Sequence, residues 1–568
     1  MATTPTHARP RTRPPAPAPR TPPAWAPVLG IAAGTAAVLL LLADRHGYDG
    51  DELYFIAAGR HLDWGYADQP PGVPLLALLA DTLAPGSLRV LRLPAIVATG
   101  AGTVLAALLA RELDGDRRAQ WLTAAAHALA LGALGRLLST AALDIPLWTL
   151  LTWLVVRWVR LRREGVTRDR LLLAAGAVVV VAMQIKFQIV VFCLALLVAV
   201  LLCGPRGLFG RPSLWAGAGL AALSVVPALV WQHRHGWPQL RMGEVIAAEV
   251  AQRDGQAVNL TLMVLGLGPV LGMVLGLYGL WRLLMDREPA GFRFLAVAAL
   301  LATGFVVLTG GRAYYIHGVF PVLWAAGAVG FQRWRAAREA TADRRTGWVV
   351  YPVIAVSAVW PLLDLPLRPP ESYIDEAPHR FDKRSEIGWP QLADQVGALY
   401  HRLPNVTRAR VVLMSDDYWV ASALAHFGPA RGLPPVHSGS RGYWFFGAPP
   451  ADRTVVLHVG HPDPALRARF GVVRQVAAVD NGLGIATEYQ GRPIYFLSRP
   501  KEPWTRIWPE LQHLDPHRPR ITAGRASCPH RPGAVVRPQD PGPVRRGRRP
   551  ARQPRRSALP AVGHRPAR

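Results

Sequence analysis

Apolar residues recur along the first two thirds of the chain in runs that approach the length of a membrane span. A helix that crosses the hydrocarbon core of a bilayer needs about 20 predominantly apolar residues. The runs cover residues 25–43, 88–110, 119–135, 141–156, 171–185, 188–203, 214–231, 259–280, 294–310, 313–332 and 347–364. The pattern predicts an all-α polytopic membrane domain of about 11 helices over residues 25–364.

Polar residues mark the boundary between the fifth and sixth predicted spans. The apolar stretch 171–203 has 33 residues, which is too long for one ordinary span, and Gln184, Lys186 and Gln188 lie at its middle. A turn at Lys186 accounts for both the length of the stretch and its polar triplet.

The direction of the chain follows from the distribution of positive charge, because cytoplasmic loops of membrane proteins are enriched in Lys and Arg. With the N-terminus in the cytoplasm, the six inner segments hold 23 Arg in 83 residues. The five outer segments before the last span hold eight Lys or Arg in 80 residues. The odd number of spans then places residues 365–568 outside the cell membrane.

Charge and proline are concentrated at the two ends of the chain. The net charge of the 568 residues is +27, and residues 516–568 alone contain 14 Arg, 11 Pro and one acid, Asp540. We expect this tail and the Pro/Arg-rich segment 1–24 to be disordered, because neither can bury a core. A basic tail is typical of nucleic-acid binding, but the predicted topology puts it outside. This argues against nucleic acid as a partner and leaves anionic lipid, a cell-wall polymer or no partner.

Residues 365–515 have a different pattern from the membrane part. Helices are predicted at 389–403 and 417–427, and strands at 410–414, near 454–460 and at 492–498. Alternating helices and strands predict a small α/β domain on the outer side.

The first outer loop, residues 44–87, is rich in carboxylates. Asp51 and Glu52 follow the first span directly, and the next residues place Leu53 and Ile56 on one helical face. This predicts a helix lying on the membrane surface, with a carboxylate able to take a proton from an acceptor hydroxyl. Neighbouring residues on a helix point about 100° apart, so only one of the two acids can face a cavity. The alternative is that the pair only occupies a helix N-terminus, where the helix dipole favours acids.

A second polar element, Asp68, Gln69, Pro70 and Pro71, lies in the same loop. The two prolines end an extended segment and fix the entry into the next helix. The residues alone indicate a rigid turn.

Two cations are candidates for binding a phosphate. Lys186 is the only lysine of the membrane part, and its charge is costly there unless it faces a polar cavity; alternatively it extends to the headgroups. Arg312 precedes Tyr314 and Tyr315 at an outer turn, and its guanidinium group can donate two hydrogen bonds to phosphate oxygens. Alternatively, the tyrosines only anchor the chain at the membrane interface. Asp144, at the outer end of the fourth span, either caps that span or lines the cavity.

The segment DGDELYFIAAGRHLDWGYADQPPG, residues 49–72, resembles the first-loop signature of glycosyltransferase family 39. This family includes protein O-mannosyltransferases and the aminoarabinose transferases of lipid A. The resemblance implies the C-type glycosyltransferase (GT-C) fold, a catalytic base at Asp51, and a substrate-binding Pro-Pro element at Pro70 and Pro71. Some relatives have a lysine before the prolines that contacts the donor phosphate. Gln69 occupies that place here, so another cation must bind the phosphate or the donor differs.

The combined prediction is an integral-membrane glycosyltransferase that moves a sugar from a polyprenyl-phosphate donor to an acceptor hydroxyl on the outer face, with inversion. Membrane lipids surround the site, and the acceptor is unknown. Transfer from a lipid phosphate needs no nucleotide, so no cofactor is predicted, and a divalent cation is left open. The alternatives are a transporter or lipid flippase, and a non-catalytic envelope scaffold. Transporters usually have paired halves, and the sequence contains no visible repeat.

Overall fold

The computed structural model describes residues 20–253, 255–286, 290–339, 350–374, 376 and 384–515. The predicted disordered tail 516–568 and most of the predicted disordered segment 1–24 lie outside these ranges. All described residues fall in one compact unit. Residues 20–24 pack against the helices, since the amide of Ala24 donates a hydrogen bond to Gln120 Oε1 at 2.8 Å.

The described part of the chain up to residue 364 is mainly helical. Its α-helices are α1 (Trp25–Leu41), α2 (Gly50–Arg60), α3 (Gly72–Leu83), α4 (Leu88–Glu112), α5 (Arg117–Leu131), α6 (Thr140–Arg163), α7 (Arg170–Ile185), α8 (Gln188–Cys203), α9 (Pro212–Arg234), α10 (Pro238–Arg253), α11 (Gly255–Leu265), α12 (Val270–Met285), α13 (Arg293–Leu308), α14 (Phe320–Glu339) and α15 (Val350–Asp364). A 3₁₀ helix, Ala313–Val319, leads into α14.

Within the described ranges, four helices are long and apolar enough to cross a membrane by length and composition: α4, α6, α9 and the continuous segment Ala313–Arg338. The bent pair of α11 and α12 would add a fifth span, and six further apolar helices are shorter. A membrane domain of several apolar helices is therefore confirmed, and the count of eleven spans stays a prediction.

Side-chain caps explain where several helices begin. Ser87, Asp116 and Ser139 each accept a hydrogen bond from a backbone amide in the first turn of α4, α5 and α6. A capping side chain satisfies one of the amide donors that have no partner within the helix. Because Ser139 caps α6, Asp144 does not, and the capping interpretation of Asp144 is wrong.

The predicted break at Lys186 is confirmed. Helix α7 ends at Ile185, Lys186 has an extended backbone with φ −161° and ψ 131°, and α8 begins at Gln188. Helix α7 packs against α6 and α9, whereas α8 packs against α13.

The span predicted at 259–280 is divided into two helices, because the chain bends by 92° between α11 and α12. The bend falls at Gly266–Pro269, where Gly268 has φ +96°. Proline has no amide to donate within a helix, and a positive φ is incompatible with helix continuation. The apolar run conceals this break, since hydropathy does not register backbone conformation.

Residues 384–515 form one mixed sheet with flanking helices. The strands are β1 (Val411–Ser415), β2 (Val436–Ser438), β3 (Val455–Val459), β4 (Phe470–Ala478) and β5 (Pro493–Pro500), and the helices are α16 (Trp389–His401), α17 (Asn405–Arg408), α18 (Tyr418–Phe427), α19 (Pro464–Ala468) and α20 (Trp504–Ile507). The strand order is β2-β1-β3-β5-β4, with β1 parallel to β2 and β3, and β5 antiparallel to β3 and β4. The predicted α/β pattern agrees with these elements, although β2 and β4 were not predicted. We call residues 384–515 the outer layer, after the side of the membrane that the charge distribution predicts for them.

Helix α2 joins the membrane helices to the outer layer. Nine of its 11 residues are buried, and five of these, residues 53–57, share one apolar core with α3, α16, α18 and strands β1 and β3. The apolar face of α2 therefore packs against protein and is not left free to rest on lipid. Helix α18 covers the apolar face of α2, for which the sequence predicted no protein contact.

Candidate active site

The N-terminus of α2 carries the carboxylates that the sequence singled out. Asp49 caps the helix by accepting from the amide of Asp51, and the Glu52 side chain accepts in return from the amide of Asp49 at 3.1 Å. This reciprocal capping box fixes the first turn of α2 and sets the directions of the two neighbouring acids.

Glu52 is fully buried, and both of its carboxylate oxygens are occupied. Arg92 of α4 donates to Oε1 at 2.9 Å and to Oε2 at 2.7 Å. The amide of Leu138 also donates to Oε1, at 3.0 Å. Arg92 is only 1% exposed and also binds the carbonyl oxygens of Ala43 and Gly47. Glu52 thus joins α2 to α4 in a closed network, and this position is unsuited to a catalytic base.

Asp51 points in another direction, toward the outer layer. Its Oδ1 accepts hydrogen bonds from the Tyr418 hydroxyl at 2.9 Å and from Trp419 Nε1 at 2.8 Å. Both donors come from the first turn of α18. Among the described residues no group donates to Oδ2, so one oxygen is fixed and the other remains able to accept a proton.

The close contact between α2 and the outer layer depends on two glycines, Gly50 opposite α18 and Gly442 opposite Tyr54. A Cβ at Gly50 would come within 2.2 Å of the Trp419 ring, and a Cβ at Gly442 within 2.0 Å of the Tyr54 hydroxyl. The glycines therefore let aromatic side chains of α2 and the outer layer approach closely.

Asp68 lies beside the same aromatic group. Its Oδ1 accepts from the Tyr54 hydroxyl at 3.0 Å, and the Tyr54 ring packs edge-on against Tyr418. Burial raises the pKa of Asp68 to about 6, against the opposing positive charge of Arg441. The carboxylate is thus less acidic than usual, and two aromatic side chains, Tyr54 and Tyr418, connect it to Asp51.

The turn after Asp68 has the form that its prolines predict. Pro71 is the N-cap of α3, with φ −75°, and Pro70 is buried. Gln69 is 4% exposed, and its Nε2 has no hydrogen-bond partner among the described residues. A buried donor without a partner is unusual in a folded protein and makes Gln69 available to a ligand.

Lys186 lies against the two predicted tyrosines. Its Nζ is 3.8 Å from the ring centre of Tyr315 and 4.9 Å from that of Tyr314. Asp144, whose Oδ1 accepts from Trp148 Nε1 at 3.0 Å, lies within electrostatic range of Lys186. The structure therefore brings together four predicted residues from three separate segments.

Arg312 takes part in an ion-pair cluster that the sequence did not predict. Its Nη2 is 2.6 Å from Glu249 Oε2, and Arg441 Nη2 is 2.6 Å from Glu249 Oε1. Arg441 Nη1 in turn donates to the Tyr418 hydroxyl at 3.2 Å, which binds Asp51. Lys186, Arg312 and Asp51 are all within electrostatic range of Tyr314.

Two cavities flank this arrangement. One of about 310 Å³ lies between α2 and the outer layer and is lined by residues such as Ile56, Leu433 and Phe446; the predicted site residues do not contribute to it. The other, about 270 Å³, lies among the membrane helices. Its walls are mainly apolar, with Tyr314 and His317 at one side. Tyr314 therefore stands between the cationic residues and an apolar cavity.

No cluster of three or more His, Cys, Asp and Glu side chains within the described ranges could hold a metal ion.

Sequence reasoning missed the residues that the outer layer contributes. Tyr418 and Trp419 lie 367 and 368 residues from Asp51 in the chain, so no local spacing could reveal the contact. Arg92 of α4, which was also missed, had the clearest signal in the sequence, because an arginine inside an apolar run needs a buried partner. Arg441 and Glu249 gave no comparable signal.

Comparison with known proteins agrees with the fold and with the first-loop resemblance. Residues 68–231 match the family model for dolichyl-phosphate-mannose-protein mannosyltransferase. A search of the curated proteins found no match.

Among solved structures, ArnT from Cupriavidus metallidurans is similar in two states. The apo state has a TM-score of 0.51 and the state bound to undecaprenyl phosphate a TM-score of 0.50. Each is 16% identical and covers 83% of this chain and 97% of that chain. The chain therefore has a GT-C-like fold, and it resembles the mannosyltransferase family over residues 68–231, which overlap the end of its first-loop signature.

Proposed function

We propose that this protein is a membrane glycosyltransferase that transfers a sugar from a polyprenyl-phosphate donor to an acceptor hydroxyl. The observation that carries the proposal is the environment of Asp51: two donors from α18 hold Oδ1, and Oδ2 is left open. A carboxylate fixed at one oxygen and open at the other is arranged for a general base.

In the proposed reaction the acceptor hydroxyl gives its proton to Asp51 while its oxygen bonds to the anomeric carbon. The bond between that carbon and the phosphate oxygen breaks, and polyprenyl phosphate leaves with the electron pair. A single displacement inverts the anomeric carbon. Asp51 needs no covalent intermediate for this role.

The leaving phosphate requires positive charge that is in place before the reaction. Lys186 and Arg312 supply it on either side of Tyr314. The buried Nε2 of Gln69 is a further donor that takes the place of the lysine found in some relatives.

The donor lipid needs an apolar path next to the phosphate, and the cavity of about 270 Å³ beside Tyr314 supports one. ArnT, which has a similar fold, was solved with undecaprenyl phosphate bound. We infer that the polyprenyl chain of the donor enters this cavity while its phosphate remains at Lys186 and Arg312.

The orientation follows from the charge bias of the loops. We place the N-terminus in the cytoplasm and both Asp51 and the outer layer on the extracytoplasmic side. Asp68, Pro70 and Pro71 then border the site from the first outer loop, and Asp144 and Tyr315 border it from the membrane side.

Incubation of the purified protein with radiolabelled polyprenyl-phosphate sugars and an envelope fraction as acceptor source tests the proposal. An active transferase releases polyprenyl phosphate and moves label into the acceptor fraction, and Asp51→Asn does so far more slowly. In proteoliposomes, label that crosses the membrane unaltered would identify a transporter. The absence of both transfer and transport with every donor would support a scaffold.

A further inference from the structure

Glu249, on α10, bridges two arginines that come from distant parts of the chain. Arg312 lies at the turn after α13, and Arg441 lies in the outer layer. Each donates to a different oxygen of the one carboxylate, at 2.6 Å in both cases. The cluster therefore places two guanidinium groups around a single oxyanion.

Arg441 is held in this position by its own backbone. It is one of the few described non-glycine residues with a positive φ, +47°. Its amide donates to the carbonyl oxygen of His513 at 2.8 Å, and its Nε to that of Leu514 at 3.3 Å. Residues held in such a sparsely populated conformation cluster at functional sites, and here the strained backbone directs a cation toward Glu249 and Tyr418.

Two arginines share one carboxylate in this cluster, and Arg441 also lies within electrostatic range of Asp51 and Asp68. Glu249 is the carboxylate that contacts both guanidinium groups, so it occupies the place where another oxyanion can bind. A phosphate can accept hydrogen bonds from two guanidinium groups, as a carboxylate does, and it can carry more negative charge. The side chains of Glu249 and Arg312 are 22% and 36% exposed, so a ligand can reach both.

We propose that Arg441 and Arg312 together bind the phosphate of the polyprenyl carrier, and that Glu249 is an internal anion which occupies this place when the carrier is absent. The inference rests on the proposed function and extends it by assigning to the outer layer a direct contact with the donor. Carrier binding displaces Glu249 from the arginines and leaves Arg441 joined to Asp51 through the Tyr418 hydroxyl.

Glu249 can have one of two roles. If Glu249 competes with the phosphate, its removal strengthens phosphate binding. If Glu249 is only a structural clasp, its removal leaves two unpaired arginines, which loosens the cluster and weakens binding.

The test measures binding of undecaprenyl phosphate to the purified full-length protein in detergent, with inorganic phosphate and phosphatidylglycerol as separate ligands. We expect Glu249→Gln to bind undecaprenyl phosphate roughly tenfold more tightly, and Arg441→Gln to bind it roughly tenfold to a hundredfold more weakly. Arg441→Lys keeps the charge without the fork and should lie between the wild type and Arg441→Gln. Weak binding of the other two ligands would identify the lipid carrier as the source of the phosphate.

Matched controls exclude general charge effects. Glu244→Gln removes an exposed acid from the same helix, and Arg474→Gln removes an exposed arginine from the outer layer; both should bind like the wild type. If the wild type binds undecaprenyl phosphate but Glu249→Gln binds no more tightly, the competing-anion role is overturned. Equal binding by a folded Arg441→Gln overturns the role of Arg441. A wild-type protein that binds no polyprenyl phosphate contradicts the proposed function itself.

Discussion

Two adjacent carboxylates, Asp51 and Glu52, have different environments because α2 turns them in different directions. Glu52 is closed inside the protein by Arg92, whereas Asp51 retains one open oxygen beside the outer layer. The resemblance maps the catalytic base to Asp51, and the contacts of Glu52 explain why the second acid is needed for the fold.

Substitution of these two acids should therefore have separable effects. Asp51→Asn keeps the shape of the side chain and removes the base, so we expect turnover to fall about a hundredfold or more with little change in thermal stability. Glu52→Gln removes the nearest carboxylate from the buried charge of Arg92 and leaves Glu386, at 3.9 Å, as the remaining one. Loss of one partner from a buried ion pair costs about 3–5 kcal/mol in comparable cases. We expect a lower melting temperature and yield, with near-normal turnover for the protein that remains folded.

Turnover with a radiolabelled donor, normalised to folded protein, gives the first quantity, and thermal unfolding in detergent gives the second. The reverse ranking of turnover would move the base to Glu52. Full turnover by both variants would show that neither carboxylate is the base.

At the scale of elements, the contact between α2 and α18 fixes the geometry of Asp51. Gly50 is the point of closest approach, because a Cβ there would overlap the Trp419 ring. Gly50→Ala should push α18 away and break the bond from Trp419 to Asp51. A displacement of about 1 Å can cost a hundredfold in rate, so we expect activity to fall at least tenfold.

The control for this substitution is Gly34→Ala in α1, where a Cβ would meet no atom within 4 Å. Alanine is favoured over glycine inside a helix, so this variant should be as stable as the wild type and as active. The measurements are turnover and tryptophan fluorescence. Normal activity in Gly50→Ala would show that the contact with α18 does not position Asp51.

Local sequence patterns predicted helices and helix breaks well where one physical property, the polarity of the residues, determines the structure. Apolar runs located most membrane helices, and the polar triplet around Lys186 located a helix break. Hydropathy did not predict the 92° bend at Gly268, where backbone conformation divides the apolar run. No local pattern predicted that α2 is covered by α18, whose Tyr418 lies 367 residues from Asp51. Strand β4 was missed because, as an edge strand, it is largely exposed and contains Arg474 and Gln475.

At the scale of the whole molecule, the site is assembled from parts that the sequence shows only singly. Asp51, Lys186 and Arg312 could each be selected by residue type and position. Their connection through Tyr418, Arg441 and Glu249 depends on contacts between the outer layer and α2 and α10, which no local pattern encodes. The outer layer shares a core with the helix that carries Asp51, so it forms part of the site.

We expect Asp51 and the outer layer to lie on the extracytoplasmic side of the membrane. Positive charge favours the cytoplasmic side, and the predicted inner segments hold 23 Arg against eight Lys or Arg in outer segments of nearly equal length. A reporter enzyme that is active only outside the cytoplasm should therefore be active when fused after residue 500. The same reporter should be inactive when fused after residue 163, at the Arg-rich end of α6. Activity with the opposite pattern would put Asp51 on the cytoplasmic side, where its proposed donor would have to be presented from the inner leaflet.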